Sequence, residues 1–303
     1  MERTTTIAGV RVRVAEARSA GARIGLVPTM GALHAGHLSL VERCRDLADL
    51  VVVSIFVNPT QFGPGEDLDA YPRDLEGDEA ALRALGPAAP DVVFAPAVDE
   101  VYPRDPVTTV SVRGLDQVLC GVSRPTHFDG VTTVVTKLLN IVQPDVAVFG
   151  RKDFQQLTIL RRMVADLDVP VELVGGPIVR EPDGVAMSSR NRYLEGVDRT
   201  AARALSRALR AAVAAARAAR AAGEVPSSGV LRDAATVRLR AEPGARIDYV
   251  EVLDPDTLAP PPDGADRWLV AVAAFVGPAR LIDNVVVGER ADEDALLAAT
   301  DDR

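Results

Sequence analysis

Six short, almost uninterrupted apolar runs constrain this chain more than any other feature. They are "RIGLVP" (23–28), "LVVVSIFV" (50–57), "DVVFAP" (91–96), "VTTVSV" (107–112), "DVAVFG" (145–150) and "VELVGG" (171–176). Each is short and rich in β-branched residues, which suits a strand better than a helix. Helical patterns over 37–48, 74–85, 130–142 and 154–167 separate most of them. A strand without polar alternation is buried on both faces, and strands that alternate with helices pair in parallel beneath them. The expected fold is therefore α/β: a Rossmann-like parallel sheet with helices on both faces. After about residue 195 the pattern changes. An Ala/Arg-rich helix (198–224), a second helix (227–241) and strands at 246–254, 267–276 and 279–287, the last two joined by "GPAR", predict a smaller α+β C-terminal domain. The expected division is 1–178 for the larger domain and 179–288 for the smaller. Residues 289–303, "ERADEDALLAATDDR", are expected to be an acidic, disordered tail.

The bulk properties exclude several function classes. The net charge is -9 over 303 residues, and no basic stripe offers itself to nucleic acid. No apolar run is long enough to span a membrane, and the N-terminal stretch has no hydrophobic signal core. Cys44 and Cys120 lie far apart and outside any CxxC pattern, as expected of a cytoplasmic protein with reduced thiols.

In open parallel sheets, ligands bind at the carboxyl ends of the strands, so the residues that follow the strands matter most. After 23–28 comes "TMGALHAGH", with two of the chain's three histidines, His34 and His37, around Gly36 at a helix start. A helix N-terminus favours an anion, Gly36 lets a phosphate approach the backbone, and two imidazoles at i and i+3 share one face. Packing histidines or a zinc site are the competing readings; no third His or Cys lies nearby in sequence to complete a zinc site. After 50–57 comes "NPTQFG", which carries the amides of Asn58 and Gln61. An acidic stretch beyond it (Asp67, Asp69, Asp74, Glu76, Asp78) is mostly solvated, with room for one magnesium ligand. After 145–149 comes "GRKDFQQ": Lys152 offers a cation, Asp153 a partner for ribose hydroxyls, and Gln155 and Gln156 point to different sides of a helix. "MSSRN" (187–191) groups hydroxyls, Arg190 and Asn191 as an anion clamp, or as an ordinary loop.

Taken singly these motifs are weak, but their combination and order resemble one family. "VPTMGALHAGHLSL", "IFVNPTQF", "DAYPR", "RPTHFDGV", "KLLNIVQPD", "KDFQQL", "VAMSSRNRYL", "YVEVLD" and "RLIDN" are similar to the motifs of the pantoate–β-alanine ligases, within the nucleotidyltransferases that carry an HxGH signature. The resemblance implies ATP-dependent joining of pantoate to β-alanine through a pantoyl adenylate, with release of AMP and pyrophosphate. It also implies Mg2+ and a homodimer. It implies ATP contacts from Met30, Gly31, Ala32, Leu33, His34, Ala35, Gly36 and His37, from Gly150, Arg151, Lys152 and Asp153, from Val179, and from Met187, Ser188, Ser189 and Arg190. Of these, His37, His34 and Lys152 are the implied catalytic groups. Gln61, Gln156 and Asn58 are implied for pantoate, Gln61 also for β-alanine, and Asp78 for magnesium. Arg151 and Cys120 stand where many members have Glu. Two rival readings predict different behaviour. A cytidylyl- or adenylyltransferase would need a phosphorylated acceptor, and a nucleotide-sensing protein would bind ATP without turnover.

Overall fold

A computed structural model describes residues 1–104 and 106–298 of the chain. The helices are α1 (Ile7–Ser19), α2 (Ala35–Arg45), α3 (Leu75–Arg83), α4 (Val98–Val101), α5 (Cys120–Ser123), α6 (His127–Val142), α7 (Phe154–Asp166), α8 (Gly196–Ala221), α9 (Ser228–Arg240) and α10 (Arg290–Ala298). The strands are β1 (Glu2–Thr4), β2 (Ile24–Thr29), β3 (Leu50–Ile55), β4 (Val92–Phe94), β5 (Val146–Gly150), β6 (Glu172–Gly176), β7 (Ala245–Leu253), β8 (Trp268–Val276) and β9 (Ala279–Val287). Strands β1 to β6 form a parallel sheet in the order β1-β4-β3-β2-β5-β6. Strands β7, β8 and β9 form a separate antiparallel sheet in that order.

The chain divides into two compact units. One comprises Met1–Arg151 and Ile159–Gly176, the other Lys152–Thr158 and the residues from Pro177 onward. In the first unit β2 and β3 are buried along almost their whole length, as the lack of polar alternation requires. Helix α2 packs Leu40, Val41 and Cys44 against Val27, Val51, Val53, Val146 and Val148. Two glycines permit this approach: a Cβ at Gly25 would collide with Cys44 Sγ, and one at Gly176 with Leu40 Cδ2. The second unit is built on α8, whose Ala201, Leu205, Ala208, Leu209, Ala212 and Val213 form a helical stripe in a core with α9 and the small sheet. Gly277, with φ +51°, opens the two-residue turn between β8 and β9.

Two expectations are corrected, and two elements lie where the sequence reading placed none. The run 107–112 is not a strand. Its residues are mostly exposed, and the backbone of Val110 bonds to the Thr132 and Thr133 hydroxyls of α6 instead of to a neighbouring strand. Helix α1 and strand β1 precede the first expected strand; the alternation Val10-Arg11-Val12-Arg13-Val14 hides a helix that buries only Val10 and Val14. The acidic tail is not disordered over Arg290–Ala298, because α10 buries Leu296 in the small core. Glu293 in that helix accepts from Gly288 N and pairs with Arg217 and Arg220. The remainder of the expected tail, 299–303, lies outside the described residues.

Candidate active site

The first unit assembles its polar groups at the carboxyl ends of β2 and β3. After β2 the backbone turns through Gly31 (φ +80°) and Ala32 (φ +51°) before α2 begins. Asp78, a buried residue of α3, holds this turn: its carboxylate accepts from Ala32 N at 3.0 Å and Leu33 N at 2.7 Å. His34 is the N-cap residue of α2, and its side chain makes no capping hydrogen bond there. Its carbonyl accepts from His37 N at 2.8 Å. The two imidazoles lie against one another, with ring centroids 4.0 Å apart and planes tilted by 32°. A helix start that its N-cap side chain does not cap, with two imidazoles beside it, is suited to an anion whose charge grows during reaction.

The resemblance implies Asp78 for magnesium, and in the structure Asp78 also braces a turn. Its two oxygens serve the turn that carries the histidines, and among the described residues no group of three or more His, Cys, Asp or Glu side chains is disposed to hold a metal ion. A magnesium ion held by one or two carboxylates together with waters and substrate phosphates would not need such a group.

Asn58 and Gln61 follow β3 on a short 3-10 turn (Pro59–Gln61). Asn58 Nδ2 donates to Gln61 Oε1 at 3.0 Å, and Gln61 Nε2 lies 3.2 Å from Met30 Sδ, so the two loops meet. The motif "RPTHFDGV" explains how the turn is fixed. Arg124 donates to the Gln61 carbonyl at 3.2 Å and forms a two-point ion pair with Glu66. The third histidine, His127, places Nδ1 2.9 Å from the same carbonyl and Nε2 3.1 Å from Arg124 Nη1. A carbonyl only accepts and a guanidinium only donates, so the tautomer with its proton on Nδ1 satisfies both contacts. Burial by itself pushes the Glu66 carboxyl up, but the hydrogen bond and charge of Arg124 outweigh it and hold the group below the ordinary carboxylate range. Sequence reasoning does not single out Arg124, His127, Glu66 or Tyr102; the only signal for the first two is the matching motif that contains them.

The second unit holds the other set. The backbone carbonyl of Lys152 accepts from Asn284 Nδ2 at 2.8 Å, and its ammonium lies 4.0 Å from Asp153. Gln155 is buried and Gln156 is only partly so. The segment after β6 folds back on itself: Met187 N donates to the Val179 carbonyl, and Arg180 bridges to Ala186. Arg180 makes a two-point ion pair with Asp283 at 2.6 and 3.0 Å, with both side chains almost fully buried. "RLIDN" thus anchors two motifs, Asp283 holding Arg180 and Asn284 holding Lys152. In "MSSRN", Asn191 is structural, donating to Glu181 and the Ala186 carbonyl. Ser188 caps the following 3-10 turn (Ser189–Tyr193) through Arg190 N.

Comparison with known proteins decides among the readings. The family model described as pantoate-beta-alanine ligase matches residues 2–286. This chain belongs to that family. It is 54% identical over 287 residues to a pantothenate synthetase of Moorella thermoacetica, covering 95% of this chain and 99% of that one. Among solved structures, a pantothenate synthetase from Thermus thermophilus aligns at 47% identity with a TM-score of 0.86, over 94% of this chain and 99% of that one. The Francisella tularensis ligase, described as complexed with beta-gamma ATP and beta-alanine, aligns at 31% identity with a TM-score of 0.74, over 94% and 97%. The enzyme is a pantoate–β-alanine ligase, which makes pantothenate from pantoate and β-alanine. No helix among the described residues is long and apolar enough to cross a membrane.

Proposed function

We propose that this ligase activates pantoate with ATP as a pantoyl adenylate and then transfers the pantoyl group to β-alanine. The observation that carries this reading is the His34–His37 pair, with ring centroids 4.0 Å apart, at the start of α2, whose N-cap side chain makes no capping hydrogen bond. A carboxylate is a poor acyl donor to an amine. In the first step a pantoate carboxylate oxygen attacks the α-phosphorus of ATP, the bond from that phosphorus to the bridging oxygen breaks, and pyrophosphate leaves. Charge grows on the phosphoryl oxygens, and His34, His37, Lys152 and the Ser188-Ser189-Arg190 segment are the groups assigned to neutralise it. In the second step the neutral amine of β-alanine attacks the adenylate carbonyl. The carbon–oxygen bond to AMP breaks, and the amine loses a proton as the amide forms. Gln61 and Gln156 are assigned to pantoate, with Asn58 behind Gln61; Gln61 also borders the β-alanine position. The ATP assignments of Met30 to His37, Gly150 to Asp153, Val179 and Met187 to Arg190 rest on the family motifs and on the turns and caps described above.

The test is exchange of labelled pyrophosphate into ATP, with pantoate present and β-alanine absent. Exchange is expected, and His37→Ala should slow it about 100-fold or more, the scale of losing one preorganised donor. An absolute requirement for β-alanine would overturn the separate adenylation step.

A further inference from the structure

Asn58 is the most deeply buried polar side chain of its loop, 1% exposed, and it stands directly behind the glutamine assigned to pantoate. All of its polar valences are used. Nδ2 donates to Gln61 Oε1 at 3.0 Å and to the Gly130 carbonyl at 3.1 Å. Oδ1 accepts from Tyr102 Oη at 2.9 Å and from Thr60 Oγ1 at 2.9 Å. Hydroxyl groups donate or accept, so Tyr102 and Thr60 alone do not decide which end of the amide faces them. A backbone carbonyl only accepts. The Asn58 atom that meets Gly130 is therefore nitrogen, and this settles the orientation of the whole side chain. The Gln61 atom beside that nitrogen must in turn be oxygen. Gln61 is left with Nε2 turned toward Met30 Sδ, at 3.2 Å. A reversed Gln61 amide would set two NH2 groups face to face, and a reversed Asn58 would set two carbonyl oxygens face to face.

The polarity is built into the fold. Gly130 belongs to α6, where a Cβ would collide with the Thr60 carbonyl, so only glycine lets the helix backbone come this close to the turn. Tyr102 follows α4 and is buried; its ring lies beneath Lys137 Nζ, 5.4 Å from the centroid. Burial raises the Tyr102 phenol above its ordinary value, although its hydrogen bond to Thr60 opposes this, so the hydroxyl keeps its proton throughout the neutral range. Asn58 Oδ1 accepts from the Tyr102 hydroxyl, while the Thr60 hydroxyl, within reach of both Asn58 Oδ1 at 2.9 Å and Tyr102 Oη at 3.3 Å, has one hydrogen to give.

We propose that this one-way chain, starting at the Gly130 carbonyl and fastened by the Tyr102 hydroxyl, locks Gln61 as a hydrogen-bond donor, so that the substrate group Gln61 recognises is an acceptor oxygen. Tyr102 is then a positioning residue, acting on pantoate only through Asn58 and Gln61. The proposal rests on the assignment of Gln61 to pantoate. It excludes substrate groups that only donate, such as an ammonium, from the place where Gln61 Nε2 points.

Two measurements on the full-length enzyme test it. The first needs no substrate: in isotope-labelled protein, the Gln61 side-chain NH2 should show a nuclear Overhauser contact to the Met30 methyl, and Tyr102→Phe should weaken or abolish it. The second is kinetic: Tyr102→Phe should raise the KM for pantoate about tenfold, roughly the loss of one hydrogen bond, with kcat and the KM for ATP within about twofold of wild type. A pantoate KM within about twofold of wild type overturns the positioning role, whether or not the contact is lost. An equal rise in the ATP KM also overturns it, since the damage is then general. Absence of the contact in the wild type overturns the donor orientation itself. Asn58→Asp, which places an oxygen against the Gly130 carbonyl, should be worse than Tyr102→Phe; if it does not fold, Tyr102→Phe still decides. A wild-type enzyme that does not use pantoate would instead remove the functional reading, while the contact would still report the amide orientation.

Discussion

At the scale of single residues, Asp78 shows how one carboxylate among many becomes part of the scaffold. Several acids follow the Asn58 loop, and nothing in their spacing separates the one that folds back onto the Met30–His34 turn. Burial does: Asp78 meets two consecutive backbone N–H groups. Asp78→Asn leaves an NH2 facing one of those donors, at a cost of about 1–3 kcal/mol. The expected result is a lower melting temperature and slower adenylation, with the half-saturating Mg2+ concentration unchanged; a large rise in that concentration would restore Asp78 as a ligand. Cys44 is a second residue whose setting decides its chemistry. Burial against Gly25 pushes its thiol up to about 12, the neighbouring charge of Arg45 opposing this too weakly to matter. At a pH of about 8 the thiolate is therefore roughly one molecule in ten thousand, even before access is considered. A maleimide added to the native enzyme should leave the Cys44 peptide unmodified, whereas the urea-unfolded chain should label readily. Rapid native labelling, followed by peptide mass spectrometry, would contradict the buried position.

At the scale of elements, the core of the parallel sheet is readable from the sequence because burial on both faces removes polar alternation, and β2, β3 and β5 carry that signature. The failures have the same physical origin. The run 107–112 is rich in β-branched residues but has no strand to pair with, and the threonines of α6 meet the backbone of Val110 instead. The acidic composition of 290–298 conceals a helix because one leucine and one paired glutamate anchor it. The candidate site residues follow a similar rule. Groups that follow a strand, His34, His37, Gln61 and Lys152, are readable from position, whereas Arg124, Glu66 and Tyr102 act through partners about 40 to 60 residues away that only folding brings near. The Arg124–Glu66 pair gives an element-level prediction. Glu66 is held below its ordinary value of 4.5 in the folded enzyme, so its stabilising contribution is complete above that value and lost as the pH falls through the lower, folded one. The pair is partly exposed, so the contribution is small. Hydrogen exchange over residues 62–73 should accelerate as the pH is taken from about 6 to about 3, beyond the intrinsic pH dependence of exchange. In Arg124→Met that excess should be largely absent. Equal excess in both proteins would mean that the pair does not anchor the segment.

At the scale of the whole molecule, the residues assigned to one reaction are divided between the two units. The histidines, Asn58 and Gln61 belong to the first; Lys152, Gln156 and the Met187–Arg190 segment belong to the second. The division cuts across motifs: Gly150 ends β5 in the first unit, and Lys152, two residues on, begins the second unit's part of the same motif. Helix α7 starts in one unit and ends in the other. Composition signals the change near residue 195, but not this exchange of short segments, because no change in residue type marks where the contacts of a continuous helix pass from one body to another. The proposed function assigns all of these groups to one and the same chain. Mixing Gln61→Ala with Lys152→Ala, both weakened variants, should therefore give only the sum of their separate rates in a pantothenate-forming assay, even after co-refolding. Recovery to a substantial fraction of wild type would require that one chain's Gln61 serve another chain's Lys152, and the assignment of both sets to a single chain would have to be abandoned.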